Sequence, residues 1–221
     1  MTIKIGSRGA KVKDLQNKLN KLGYGIDADG KFGPNTLRAL KSFQRRIKIT
    51  VDGIAGEKTM KIISSAIEAL YKNKPSSKNF CFEDFISKAD KYTKKNGIPH
   101  KYWGNIQTVM DRLERVRERI GDKPLMIRSG FRSVGHNMKV GGAKRSQHLY
   151  GKAVDVHVKG GSMSCYELAK TIYDDDNLRI LFGGFGLGSD KNIHLDIRKK
   201  TNPLRPTFWW YKKRSWKEWS K

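Results

Sequence analysis

The stretch Asp29-Gly30-Lys31-Phe32-Gly33-Pro34-Asn35-Thr36 recurs as Asp52-Gly53-Ile54-Ala55-Gly56-Glu57-Lys58-Thr59. Each copy is a glycine-rich turn that reaches Thr, a residue whose hydroxyl can hold a free helix amide, so each predicts a turn followed by a helix capped at Thr36 or Thr59. Between the copies Leu37, Leu40, Phe43 and Gln44 recur at helical spacing. Before the first copy Val12, Leu15, Leu19 and Leu22 mark another amphipathic helix, ending at Gly23. One structural unit used twice predicts a small three-helix bundle.

Working outward, the 221 residues hold 46 Lys and Arg against 21 Asp and Glu, a net charge of +25 that points to an anionic partner. At 37% hydrophobic residues the chain is expected to fold, as one or two domains each able to bury a core. No run of about 18 apolar residues exists, and Met1 to Leu15 alternates charges with single aliphatics. A spanning helix and an ordinary secretory signal are therefore not expected. Cys81 and Cys165 lack the short spacing of a zinc knuckle or redox pair and read as buried thiols, not a bridge.

Lys72 to Asn79 combines charge, Pro and Ser without an apolar residue, the composition of a connection between domains. We accordingly divide the chain into residues 1–71, a linker at 72–79, and residues 80–221. In the last part Phe82, Phe85, Ile86 and Ala89 predict one helix, and Ile106, Val109, Met110, Leu113, Val116 and Ile120 a longer one stopped by Gly121. Pro124 to Arg128, Ala153 to Val158 and Ile193 to Ile197 read as strands, and Cys165 to Tyr173 as a helix. The fold class is α+β: a three-helix bundle followed by an α+β domain with a small antiparallel sheet.

In Ser146-Gln147-His148-Leu149-Tyr150-Gly151-Lys152-Ala153-Val154-Asp155, Gly151 can reverse the chain so that His148 and Asp155 converge; an unbroken strand would place them on opposite faces. With His194 from a second strand they could form a two-His, one-carboxylate zinc site with an open fourth position, suited to amide hydrolysis. By spacing alone, surface hydrogen bonding remains the alternative.

Two resemblances bear on these readings. Gly9-Ala10-x-Val12, Leu15-Gln16, Leu22-Gly23-Tyr24, Asp29-Gly30-x-Phe32-Gly33, Phe43-Gln44 and Val51-Asp52-Gly53-Ile54-x-Gly56 resemble the peptidoglycan-binding module found beside many cell-wall hydrolases, over residues 3–65. Ser129-Gly130-Phe131-Arg132-Ser133, Val140-Gly141-Gly142-Ala143, Ser146-x-His148-x-x-Gly151-x-Ala153-x-Asp155 and Ile193-His194-x-Asp196 are similar to the ordered motifs of the zinc D-alanyl-D-alanine carboxypeptidase family, which includes L-alanyl-D-glutamate endopeptidases, over roughly residues 100–210.

The second resemblance implies Zn2+ ligation by His148, Asp155 and His194, with Arg132 on a substrate carbonyl or oxyanion and Ser146 hydrogen-bonding substrate. The alternatives are a structural ion pair for Arg132 and a turn cap for Ser146. Many members carry a carboxylate three residues before the last zinc histidine; here that position is Lys191, so Asp190 becomes the candidate general base. Asp196 shares a strand face with His194 and is expected to orient the metal site, with service as the base the alternative. His157 is a rival ligand that the resemblance does not support, while His100 and His136 read as structural or solvent-exposed. Phe208 and Trp209 are expected to pack. Trp216 and Trp219, in a basic aromatic C-terminus, belong either to a docked helix, the preferred reading, or to a segment touching an anionic envelope.

Together these imply a phage-type endolysin: a monomer made in the host cytoplasm without a signal peptide, binding peptidoglycan and cutting its stem peptides. A secreted wall enzyme is the alternative for location. A non-catalytic wall binder and a basic nucleic-acid-binding protein are the alternatives for function, although no base-reading or base-stacking motif appears. Charge supplies attraction and not specificity, so adsorption to purified walls is expected to fall as salt is raised. Pelleting across a salt series checks this, and adsorption indifferent to salt would contradict it.

Overall fold

The computed structural model describes residues 2–189, 191–199 and 207–210. They form two compact units: residues up to Lys74 with Asn96–Lys101, and Pro75–Lys95 with the described residues from Tyr102 onward. No helix among the described residues is long and apolar enough to cross a membrane.

The first unit contains α1 (Ala10–Lys21), α2 (Pro34–Arg46) and α3 (Glu57–Lys72). Val12, Leu15 and Leu19 of α1, Leu40 and Phe43 of α2 and Ile63 of α3 are buried together with Ile3, Phe32 and Ala55. The repeat encodes a polar lock inside this apolar frame. Gln16, 1% exposed, donates from Nε2 to Asp29 Oδ1 (2.9 Å) and the Lys31 carbonyl (3.0 Å), while its Oε1 accepts the Gly30 N–H (2.8 Å). Gln44 repeats the pattern on Asp52 Oδ1 (2.7 Å), the Ile54 carbonyl (3.1 Å) and the Gly53 N–H (2.9 Å). In both copies the same aspartate oxygen also accepts the amide two residues on, closing an Asx turn.

The expected threonine caps are not present. Gly33 and Gly56 precede the two helices, neither with a side-chain cap, and both threonines lie inside the helices. Pro34 explains the earlier start of α2, since the first helical position needs no N–H and proline's fixed φ suits it. Thr36 is buried instead, its Oγ1 within 3.0 Å of Gln16 Nε2.

The second unit is built on β1 (Leu125–Ser129), β2 (Ala153–Val158), β3 (Gly184–Ser189), β4 (Asn192–Asp196) and β5 (Thr207–Trp210), in the order β1-β2-β4-β3-β5. The first four pair antiparallel, as expected, and β5 adds a parallel edge beside β3. Further helices are α4 (Lys91–Asn96), α5 (Trp103–Arg119), α6 (Val134–Lys139), α7 (Cys165–Asp174) and α8 (Asp176–Arg179). Val154, Val156, Ile193 and Leu195 form a buried row, and α7 lies against β2, β3 and β4.

Two further expectations need correction. Phe82 to Ala89 is not one helix: a single 3-10 turn, Phe82–Phe85, gives way to extended chain in which Ile86 bridges Phe131. The Phe131 N–H donates to the Phe85 carbonyl at 2.8 Å, so pairing with a distant loop overrides local helical spacing. Both cysteines are free thiols, but only Cys165 is buried; Cys81 is exposed ahead of the 3-10 turn, its N–H donated to Asp84. Ser77 Oγ and the Asn79 N–H both donate to Glu114 on α5, which fastens this polar stretch to the second unit.

Removing the glutamine lock strands buried partners, so Gln16→Ala and Gln44→Ala should each destabilise the first unit by about 1–3 kcal/mol. Equilibrium unfolding in urea measures this, and stability equal to that of the parent chain would show the lock to be dispensable.

Candidate metal centre

Strand register assembles most of the site. On β2 Asp155 stands opposite both Ser129 of β1 and His194 of β4. Because side chains alternate, Asp155 and His194 project from the face opposite the buried valine and isoleucine row. His148 arrives from a 3-10 turn, Gln147–Tyr150, that ends at Gly151 in the left-handed region (φ 63°). A Cβ at Gly151 would lie 3.0 Å from Ile106 and 3.3 Å from Tyr102, so both the turn and the space favour glycine. The Arg132 N–H bonds the His148 carbonyl at 3.1 Å, joining the two loops beside the strand row.

His148 Nε2, Asp155 Oδ1 and His194 Nδ1 meet at separations of 3.1, 3.3 and 2.9 Å. A tetrahedral zinc site with bonds of about 2.0–2.1 Å has ligand-to-ligand edges of about 3.3 Å, so the donor triangle fits the ion. The outer atoms fit as well. His148 Nδ1 lies 2.6 Å from the Gly130 carbonyl, which can only accept, and this assigns the proton to Nδ1 and the lone pair to Nε2. His194 Nε2 lies 3.1 Å from Asp196 Oδ2, which likewise turns the Nδ1 lone pair inward. Asp155 Oδ2 takes the Arg132 guanidinium at 2.6 Å, leaving Oδ1 for the centre.

Burial opposes ionisation of Asp155, but His148 and His194 outweigh it and hold its carboxyl well below the usual range. Burial lowers the His148 pKa against the pull of Asp155. Burial also works to lower that of His194, but hydrogen bonds to Asp155 and Asp196 carry it above its ordinary value. Asp196, fully buried, is lowered to about 2: His194 and Arg198 overcome its desolvation. Arg198 donates to both Asp196 oxygens, from Nε to Oδ1 at 2.9 Å and from Nη2 to Oδ2 at 2.5 Å. A Cβ on Gly184, across the sheet from Asp196, would overlap that carboxylate.

Arg132 also donates from Nε to Ser129 Oγ (2.8 Å), so the structure brings it to the centre as an ion-pair partner of Asp155. Ser146 precedes the turn that carries His148 and makes no side-chain cap there. His157 lies on the face of Asp155, two pairs further along opposite Met126, and is not part of the converging group. His136 approaches Ser87 Oγ at 3.3 Å, and His100 lies in a 3-10 turn. Asp190, Trp216 and Trp219 lie outside the described residues, as do the side chains of Phe208 and Trp209.

One contributor went unnoticed in the sequence. Asp90, 1% exposed, accepts the Ser133 N–H (2.7 Å) and hydroxyl (2.9 Å) together with the Thr93 N–H (3.0 Å) and hydroxyl (2.8 Å). It anchors the loop immediately after Arg132. Its signal was the Asp90-x-x-Thr93 spacing at the start of α4.

Residues 78–196 match the family described as Peptidase M15, and residues 8–63 the one described as "Putative peptidoglycan binding domain". The chain is similar to the zinc D-Ala-D-Ala carboxypeptidase of Streptomyces albus G, with 31% identity over 197 residues, 88% of this chain and 74% of that protein. It is also similar to the N-acetylmuramoyl-L-alanine amidase CwlL of Bacillus licheniformis, 41% identical over 78 residues, but this covers 34% of the chain and 21% of the amidase. A crystal structure of the SleB N-terminal domain aligns at 38% identity over 30% of this chain and 93% of that one, with a TM-score of 0.30.

Burial works to raise the Asp90 pKa, but hydrogen bonds from Ser133 and Thr93 lower it overall. The sign follows: its stabilisation is fully present above the unfolded carboxyl value of about 4 and is lost as the pH falls through the lowered folded value. Asp90→Asn should therefore be less stable at pH 7 and lose less stability on acidification than the parent chain. Urea midpoints at neutral and acid pH measure this, and parallel pH profiles would contradict it.

Proposed function

The chain belongs to the Peptidase M15 family, and from that premise we propose that His148, Asp155 and His194 hold the zinc ion with which it hydrolyses peptide bonds in peptidoglycan stem peptides. The observation that carries this is the convergence of Nε2, Oδ1 and Nδ1 with each outer atom already engaged. Zinc held there supplies a Lewis acid and makes water nucleophilic near neutral pH.

The chain's own residues have separate tasks. Gly130 and Asp196 hold the two imidazoles in the required tautomers, and Arg198 holds Asp196. With both oxygens engaged and no exposure, Asp196 orients His194 and is not available as the base. Arg132 positions Asp155 and offers permanent positive charge to a substrate carbonyl oxygen as charge develops there. Ser146 hydrogen-bonds the substrate beside the centre, and Asp190 moves the proton from the attacking water to the leaving amine.

The division at residues 72–79 gives residues 1–71 the task of retaining the enzyme on the polymer and residues 80–221 the task of cutting it. A phage-type endolysin acting as a monomer is the setting that fits this division. Cleavage within the stem, between L-Ala and D-Glu, or removal of a terminal D-Ala would use the same centre.

Purified protein should clear wall suspensions, lose activity to a chelator and regain it with zinc, and His148→Ala should lose both zinc and activity. Arg132→Ala should retain zinc and lower kcat by about 10²–10³-fold. Mass analysis of the released muropeptides identifies the bond cut. Chelator-insensitive activity, with normal zinc content in His148→Ala, would overturn the proposal.

A further inference from the structure

The two glutamine locks make the same three bonds to their turns, but the loops that they close are not the same. Gln16 and Asp29 are 13 residues apart, whereas Gln44 and Asp52 are 8 apart, so the first loop carries five residues that the second closes without. Ordering extra residues costs conformational entropy that the lock itself does not require. These residues are nevertheless fixed. Asn20, 8% exposed, donates from Nδ2 to the Ile26 carbonyl (2.7 Å) and accepts the Ile26 N–H on Oδ1 (2.8 Å).

The pinned loop forms one wall of a cleft of about 440 Å³, and α2 forms the other. That volume lies in the range of small-ligand sites. Its lining is mainly polar: Asp27 on the loop faces a helix wall that presents Asn35, Arg38 and Ser42, with Ile26 and Ala39 as the apolar part. Tyr24 is the aromatic residue of the cleft, and its ring already has the Arg46 guanidinium over it at 5.6 Å and stands nearly perpendicular to Phe43, the ring centroids 6.5 Å apart. A neutral glycan would use an open aromatic face and hydroxyl partners. A carboxylate and a cation on opposite walls, with an amide and a hydroxyl on the same helix as the cation, instead suit a short peptide carrying both charges.

We propose that this cleft is the recognition site of the first unit, and that it binds a stem-peptide segment with a carboxylate at Arg38 and an ammonium group at Asp27. This rests on the reading of the first unit as a peptidoglycan-binding module and names the part of the polymer that it reads. Recognition of the peptide, not the glycan, would hold the second unit among the bonds that it cuts.

The test uses the full chain and two probes: a soluble stem peptide, and glycan strands stripped of peptide. The stem peptide should shift the amide NMR signals of Tyr24–Asp27 and Asn35–Ser42, and the stripped glycan should leave them in place. Arg38→Gln and Asp27→Asn, both at exposed positions, should each weaken retention on purified walls by about tenfold, the loss expected for one charge-assisted hydrogen bond. Arg45→Gln removes a like charge from α2 outside the cleft and should retain binding. Circular dichroism confirms that each variant is folded. Parent and cleft variants retained equally well would overturn the cleft while leaving the wall-binding reading standing; shifts caused by the stripped glycan would overturn the ligand class. A parent chain that does not adsorb to walls would remove the wall-binding reading and this proposal together.

Discussion

Three atoms with lone pairs, His148 Nε2, Asp155 Oδ1 and His194 Nδ1, are held within 3.3 Å of one another on one face of the sheet. Such an arrangement is electrostatically unfavourable unless a proton or a cation sits among them, so the surroundings must impose it. The imposition is visible at each outer atom: the Gly130 carbonyl on one imidazole, Asp196 on the other, and Arg132 on the carboxylate. These supports bring further parts of the chain with them. Gly130 precedes the Phe131 that bonds Phe85, Ser133 after Arg132 hangs on Asp90, and Asp196 needs both Arg198 and the missing side chain of Gly184. Much of the second unit can thus be understood as what keeps the three atoms together.

How much of this was legible in the sequence depended on the range of the interaction. Strand alternation at Ala153–Val158 and Asn192–Asp196 is a local property, and it separates Asp155 and His194 from the buried row of Val154, Val156, Ile193 and Leu195. Gly151 was legible because a left-handed turn selects glycine locally. The helix expected at Phe82 to Ala89 failed because its apolar spacing serves a pairing with Phe131, more than forty residues away in the chain. Thr36 misled because Pro34 started the helix first and a buried glutamine needed the hydroxyl. Asp90 has a local signal in its spacing to Thr93, but its tie to the loop after Arg132 was not legible because Ser133 is distant in sequence.

The repeat was legible as a turn, but its cause was not. Gln16 and Gln44 stood at equivalent places in the text, yet their role emerged only when the Asp29 and Asp52 turns folded back onto them. The proposed use of the first unit rests on the inequality of the two loops, 13 residues between Gln16 and Asp29 against 8 between Gln44 and Asp52. The surplus of positive charge, +25 over the whole chain, is a long-range property with little discrimination: it supplies attraction to anionic polymers in general, and the proposed selection falls to directed groups, Arg38, Asp27 and the metal centre.

The central claim is that the three converging atoms are metal ligands. Anomalous diffraction at the zinc absorption edge, from crystals of the zinc-loaded full chain, tests it most directly. The account predicts one strong peak bonded by His148 Nε2, Asp155 Oδ1 and His194 Nδ1, with Asp196 and Gly130 still on the outer ring nitrogens. A peak bonded by His157 in place of any of the three, or zinc bound away from this face of the sheet, would contradict it.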